Sequence, residues 1–224
     1  MKRAKYILLE GVEGVGKSTQ TDKLVDTLTD MGFKVLKTKE PGTPLIPLTM
    51  ELRKIMLDNQ YDSLLTTKAR EYISQAIRSI HLERLIIPAL YEYDFIIQDR
   101  GMLSGYAYGM SCGNSFDDLY SMACQNVDTA DNGQGIFTVM PEHIYDTVVY
   151  LKGDPLKGLE KAKSAKNEFA TGDAMESRGN SFMVQTSHNM DMLALRFHTV
   201  TINIDNKSIE EVHQQILSAI GLER

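Results

Sequence analysis

The sequence predicts an α/β fold: a five-stranded parallel sheet with helices on both faces and a glycine-rich loop at its carboxyl edge. Five short apolar segments alternate with stretches of helical spacing, the pattern of a parallel sheet buried on both sides. The glycine-rich loop follows the first of those segments directly. The chain's 224 residues, 42% hydrophobic and 24% charged, suffice for one full core and exclude disordered and fibrous classes.

The expected strands are residues 6–9, 34–38, 94–98, 147–151 and 199–204. After Lys17, Leu24, Val25 and Leu28 mark a helix with Gly32 as its stop. Residues 67–89 place Ala69, Ile73, Ala76, Ile77 and Ile80 along one stripe, which predicts a buried helical face. Ser208 with Glu210 and Glu211 opens a last helix carrying Val212, Ile216, Leu217 and Ile220. The intervals 40–93 and 99–146 exceed simple crossovers, so extra helices and loops are expected at the functional end of the sheet. Residues 131–135 read as a turn, and the twelve methionines as core fillers. With no repeat or linker, residues 1–224 form one domain.

Composition narrows the function. No apolar run approaches the ~20 residues a membrane span needs, and the basic residues 1–5 precede too short an apolar run for a secretory leader. Two cysteines, Cys112 and Cys124, argue against a disulfide scaffold or a structural zinc site and for the cytoplasm. A net charge of −6 gives no electrostatic basis for nucleic-acid binding. Any bound anion must therefore be held by a local group of cations.

Gly11-Val12-Glu13-Gly14-Val15-Gly16-Lys17-Ser18 is the pattern G-x-x-x-x-G-K-[ST], lying between an apolar strand and a helix. Its backbone N–H groups and the helix N-terminus cradle phosphates. Lys17 is placed for the β- and γ-phosphates, and Ser18 for Mg²⁺. Residues 11 and 13–19 (Gly11, Glu13, Gly14, Val15, Gly16, Lys17, Ser18 and Thr19) are the candidate ATP site. A guanine-reading Asn-Lys-x-Asp is not found; Asn206-Lys207-Ser208-Ile209 lacks the acid. Glu40-Pro41-Gly42-Thr43 and Asp99-Arg100 follow the second and third strands, where open parallel sheets collect ligands. Arg53 and Arg78 lie in helical stretches, and a buried arginine needs a partner. Arg78 either pairs internally, with Glu83 or a loop acid, or holds a polar substrate.

Taken in order, these pieces resemble the thymidylate kinase family across nearly the whole chain. The resemblance rests on the loop from Glu10 to Thr19, the Glu40-Pro41-Gly42 turn, and the helix ending Arg78-Ser79-Ile80-His81. It continues through Asp99-Arg100 with Ser104 and Ala107-Tyr108, then Asp173-Ala174-Met175-Glu176 and Phe182. It implies a P-loop kinase fold with a short mobile lid at about residues 155–172, transferring the γ-phosphoryl of ATP to dTMP. Glu13 is implied near the deoxyribose and the metal, and Arg53 and Arg100 on the acceptor phosphate. Arg78 is implied on the pyrimidine O4, Tyr108 beneath the sugar, and Glu176 beside Glu13 and Ser18 as organiser of Mg²⁺. Glu40, Pro41, Ser74, Ser104 and Gly105 complete the acceptor site. Lys161 and Lys163, with Lys166 behind them, stand where the family's lid arginines fall, because the P-loop has Gly14 where some members carry arginine. Lys17, Arg100, Lys161 and Lys163 are the implied catalytic cations, and a homodimer is implied.

The departures from the family pattern cluster on the base side. Ser74 stands where an aromatic ring stacks on the base, and Gly101, Gly105 and Gly109 replace larger residues. A roomier, less polar base pocket is expected, accepting dUMP beside dTMP, unless Tyr72 or Phe116 restores the stacking. The rival readings are another deoxynucleoside or nucleoside monophosphate kinase on the same scaffold, and a nucleotide-binding module without turnover.

Overall fold

The computed structural model describes residues 3–131, 144–164, 168–169 and 171–222. Five strands, β1 Lys5–Glu10, β2 Val35–Lys39, β3 Phe95–Asp99, β4 Thr147–Lys152 and β5 Val200–Asn203, form one sheet in the order β2-β3-β1-β4-β5. Every pairing is parallel. Each strand lies within a residue or two of its expected place. β1 sits at the centre, and its apolar run from Tyr6 to Leu9 is buried on both faces, as a central parallel strand must be.

Helices α1 Lys17–Asp30, α2 Pro47–Leu57, α3 Thr67–His81, α4 Ile87–Ala89, α5 Met102–Ser111 and α6 Phe116–Asp131 precede β4. Helices α7 Pro155–Ser164, α8 Asn180–Arg196 and α9 Ile209–Ala219 follow it. Thr66 caps α3 by accepting from the Ala69 N–H. A π turn, Leu82–Ile86, joins α3 to α4 next to Pro88, which has no N–H to continue the ladder. Ser208 and Glu211 form the capping box of α9, as the acids after Ser208 suggested. Asp131 ends α6, while residues 132–135 of the expected turn and Lys166 of the expected lid lie outside the described residues.

Two readings of the helices are corrected. In the apolar stripe of α3 only Ile77 is buried; Ala69, Ile73 and Ile80 are half-buried and Ala76 is exposed. The inward face is instead polar, with Arg70, Glu71, Gln75, Arg78 and His81 buried. Periodicity located a stripe but not the side that packs inward, because α3 turns its charged and amide side chains to the interior. Helix α8 was not anticipated. Its buried positions include Thr186, Ser187 and Asn189, and it meets α5 through hydrogen bonds from Thr186 and Asn189 to Ser111 (2.9 and 3.0 Å). These polar residues interrupt the buried apolar set Met183, Met190, Leu193 and Ala194.

The phosphate loop and α7 meet backbone to backbone. A Cβ at Gly14, where φ is +68°, would stand 2.1 Å from the Gly158 carbonyl, and one at Gly158 would stand 2.2 Å from the Glu13 carbonyl. Replacing glycine by alanine inside a helix ordinarily stabilises by about 0.5–1 kcal/mol. Here the collision reverses the sign. Gly158→Ala is expected to cost about 2 kcal/mol and lower the thermal midpoint by about 4–8 °C, read by calorimetry; a raised midpoint would show that the two backbones separate freely.

Candidate active site

The loop from Gly11 to Ser18 turns on three glycines with positive φ, Gly11, Gly14 and Gly16, and Gly16 caps α1. Lys17 is buried and donates from Nζ to the Val12 carbonyl at 2.6 Å. Desolvation, then repulsion from Arg100, pulls its ammonium down to about 8, against attraction from Asp99, Glu13 and Glu10. Val15 is buried, while Ser18 and Thr19 are exposed on the first turn of α1.

Ser18 Oγ donates to Asp99 Oδ2 at 2.6 Å, and Asp99 Oδ1 is buried without a hydrogen bond. A hydroxyl beside an orphaned carboxylate oxygen suits Mg²⁺, which takes few protein oxygens and completes its shell with water and phosphate. Asp99 was missing from the sequence-based metal set, although an acid ending an apolar strand beside a phosphate loop is a readable signal. Glu13 belongs to a different network. Its carboxylate accepts from Arg100 Nη2 at 2.9 Å and from the Tyr108 hydroxyl. Glu176 is half-buried; desolvation, then the charges of Asp173 and Glu13, raises its pKa, and Lys163 opposes them. No cluster of three or more metal-ligating side chains occurs among the described residues.

Beyond Glu13 opens a cavity between α2, α3 and α5. Its walls include Glu40 and Pro41, the arginines Arg53, Arg78 and Arg100, and Ser74, Ser104, Gly105 and Tyr108. Arg100 has a left-handed φ of 66°. Its carbonyl accepts from Gln98 Nε2 at 2.8 Å, its N–H donates to Leu9 at 2.9 Å, and Nη1 donates to the Gly11 carbonyl at 2.9 Å. Buried Glu10 anchors the following helix by accepting from the Gly101 and Ser104 N–H groups (2.9 and 3.2 Å) and from the Ser104 hydroxyl. The Arg100 guanidinium lies 5.6 Å from the Tyr108 ring centre.

Arg78 pairs with Glu40 rather than Glu83: Nε donates to Oε2 at 3.0 Å, while Nη1 is buried and unpartnered. Glu40 also contacts His81 Nδ1 at 3.1 Å. Burial alone would raise its pKa, but Arg78 and His81 hold the carboxyl at about 2. Arg53 reaches the Pro41 carbonyl at 2.9 Å and forks onto Glu168 through Nε and Nη2 (3.1 and 2.9 Å). Lys161 and Lys163 are exposed in the last turn of α7 and do not line the cavity.

The expectation that Gly101, Gly105 and Gly109 leave extra room is corrected. A Cβ at Gly105 would lie 2.7 Å from Arg78 Nη2, one at Gly109 would lie 2.9 Å from Leu119, and one at Gly101 would lie 2.9 Å from the Tyr145 hydroxyl. Neighbouring groups fill the space these glycines release. The cavity is also lined by Thr67, Arg70, Glu71, Cys112 and Asn114. Neither aromatic substitute is there: Tyr72 is exposed, and Phe116 is packed among Tyr106, Tyr120 and Phe197.

A phosphate loop facing an arginine-lined cavity across a single carboxylate defines a P-loop nucleoside monophosphate kinase. Residues 9–216 match the family model described as thymidylate kinase, and the chain belongs to that family. It is 31% identical over 224 residues to a thymidylate kinase of Vibrio vulnificus (99% of this chain, 97% of that one). It is 33% identical over 217 residues to one of Halothermothrix orenii (96% and 95%), and 27% over 216 residues to one of Finegoldia magna (96% and 97%). Among the described residues no helix is long and apolar enough to cross a membrane.

The depressed Lys17 sets a pH dependence. Phosphate favours the ammonium, so binding a triphosphate raises its pKa and takes up a proton wherever the free enzyme has lost one. Triphosphate affinity is therefore full below about pH 8 and falls above it. The dissociation constant of a non-hydrolysable ATP analogue should be flat from about pH 6.5 to 7.5 and weaken about tenfold by pH 9. A flat titration calorimetry profile to pH 9 would rule this out.

Proposed function

We propose that this enzyme transfers the γ-phosphoryl group of ATP to dTMP, giving dTDP, and that dUMP is a second acceptor. The observation that carries this reading is the cavity shared by Arg53, Arg78 and Arg100 next to the phosphate loop, with Glu13 touching both Arg100 and Tyr108. A monophosphate dianion needs little general-base help. What opposes the reaction is bringing two polyanions together, so the residues act by positioning and charge neutralisation.

In this reading Gly11, Gly14, Val15, Gly16 and Thr19 frame the triphosphate with backbone N–H groups. Lys17 turns from the Val12 carbonyl to the β- and γ-phosphates. Ser18 and Asp99 hold Mg²⁺, with Glu13 and Glu176 in its outer surroundings. Mg²⁺, when bound, neutralises charge on the β- and γ-oxygens. Arg100 and Arg53 take the acceptor phosphate, Arg53 by exchanging Glu168 for it. Arg78, aimed by Glu40, donates through Nη2 to O4 of the base. Ser104 and Pro41 fix the wall, and Tyr108 lies beneath the sugar, where it opposes a 2′-hydroxyl. Lys161 and Lys163, in the last turn of α7, supply charge to the transferred group.

The dUMP reading is supported by Ser74, which gives the base no ring to stack on, and by the ~1–3 kcal/mol that a methyl group contributes to selectivity. The assay is ADP formation with dTMP, dUMP, dCMP, dAMP and dGMP. A preference for dTMP over dUMP below about a thousandfold is expected; a larger one removes the second acceptor. Arg100→Ala should lower kcat/KM for dTMP about 100- to 1,000-fold, and binding of both nucleotides without ADP would instead mark a non-catalytic module.

We also propose a homodimer, with the outward stripe of α3 as its contact. Tyr72 is 56% exposed there, beside Ala76 and the half-buried Ile73 and Ile80. Tyr72→Glu should convert the dimer to a monomer in light scattering; an unchanged mass would place the contact elsewhere.

A further inference from the structure

The base end of the cavity holds a carboxylate for which the mechanism above has no role. Glu71 lies three residues before Ser74 and seven before Arg78, so the three share one face of α3. It is buried and lines the cavity. Its Oε1 accepts from Gln75 Nε2 at 2.5 Å, and Gln75 Oε1 accepts from Asn126 of α6 at 2.6 Å. That chain fixes the carboxylate and leaves Oε2 without a hydrogen bond among the described residues. Oε2 lies 3.2 Å from where a Cβ at Gly109 would stand. One turn earlier on α5, a Cβ at Gly105 would stand 2.7 Å from Arg78 Nη2, which has no hydrogen bond among the described residues. Two glycines one turn apart thus face a carboxylate oxygen and a guanidinium nitrogen.

We propose that Glu71 determines base specificity together with Arg78: Glu71 Oε2 accepts from the N3–H of the acceptor base while Arg78 Nη2 donates to the adjacent O4. Uracil and thymine present this donor–acceptor pair on neighbouring atoms. Cytosine presents the reverse, an amine against the guanidinium and a bare nitrogen against the carboxylate, and a buried mismatch of that kind is strongly rejected. This pair is therefore selective for 4-oxopyrimidines. This assignment rests on the cavity being the dTMP site, and it extends the family resemblance, which places only Arg78 on the base edge.

The test compares dTMP with N3-methyl-dTMP, which cannot donate, in the full-length enzyme and in Glu71→Gln, Glu71→Met and Glu71→Ala. The wild type should favour dTMP by about tenfold or more in kcat/KM. In Glu71→Met, which keeps the bulk without an acceptor, and in Glu71→Ala, KM for dTMP should rise about tenfold with kcat within about threefold. The preference for dTMP should fall to about threefold or less in both. Glu71→Gln, which keeps a carbonyl acceptor, should stay within about threefold of wild type. A role confined to holding α3 against α6 would lower activity on both substrates equally and leave their ratio intact, and that result overturns the proposal. A wild type that turns over dTMP without penalising N3-methyl-dTMP overturns the Glu71 assignment alone. A wild type with no dTMP turnover overturns the acceptor reading and this assignment with it.

Discussion

A protein that binds anions must keep its cations charged and buried before any anion arrives. In this chain that constraint shapes the whole carboxyl edge of the sheet. Each arginine of the cavity is matched to a carboxylate: Arg100 to Glu13, Arg78 to Glu40, Arg53 to Glu168 and Arg70 to Asp62. An unpaired guanidinium at these depths would carry a desolvation cost of several kcal/mol. The partners differ in permanence. Glu40 is buried with two basic neighbours and its carboxyl held at about 2, which makes it a fixed part of the scaffold. Glu168 is exposed on its outer side and shares its arginine with the Pro41 carbonyl. Lys17 bonds a carbonyl with Asp99, Glu13 and Glu10 nearby, and burial still weakens its basicity.

The scaffold that holds these groups is an ordinary parallel sheet, and its precision comes from the ends of three adjacent strands. β1 delivers Glu10 and the phosphate loop, β3 delivers Asp99 and Arg100, and β2 delivers Glu40. Pairing of Leu9 with Asp99 and of Lys39 with Asp99 sets these ends level. Glu10 then ties the start of α5 to the end of β1, so Ser104, Gly105, Tyr108 and Gly109 inherit their positions from the sheet. The Arg100 backbone is held left-handed by bonds from both sides, at a cost of about 1–2 kcal/mol.

Much of this was legible in the sequence because the signals were local. The five strands are apolar runs bounded by turns, and the phosphate loop is a contiguous motif with a physical role for each glycine. What escaped was relational. Asp99 was read only as the neighbour of Arg100, since nothing local says that it meets Ser18, eighty-one residues away in the chain. The polar faces of α3 and α8 were missed because periodicity arguments follow apolar residues, and here Gln75, Glu71, Asn189 and Thr186 face inward. The glycines of α5 were read as empty space. A glycine tells only that a Cβ is absent, and whether a void or a neighbouring guanidinium takes its place depends on another helix.

The contact between Gly14 and Gly158 has a consequence for what side chains the phosphate loop can carry. The Gly158 carbonyl already occupies the room that a side chain at residue 14 would need, and the Glu13 carbonyl the room for one at residue 158. Both collisions are with backbone, so changing one glycine does not relieve the other. A cation or any other side chain at residue 14 requires α7 to be displaced first.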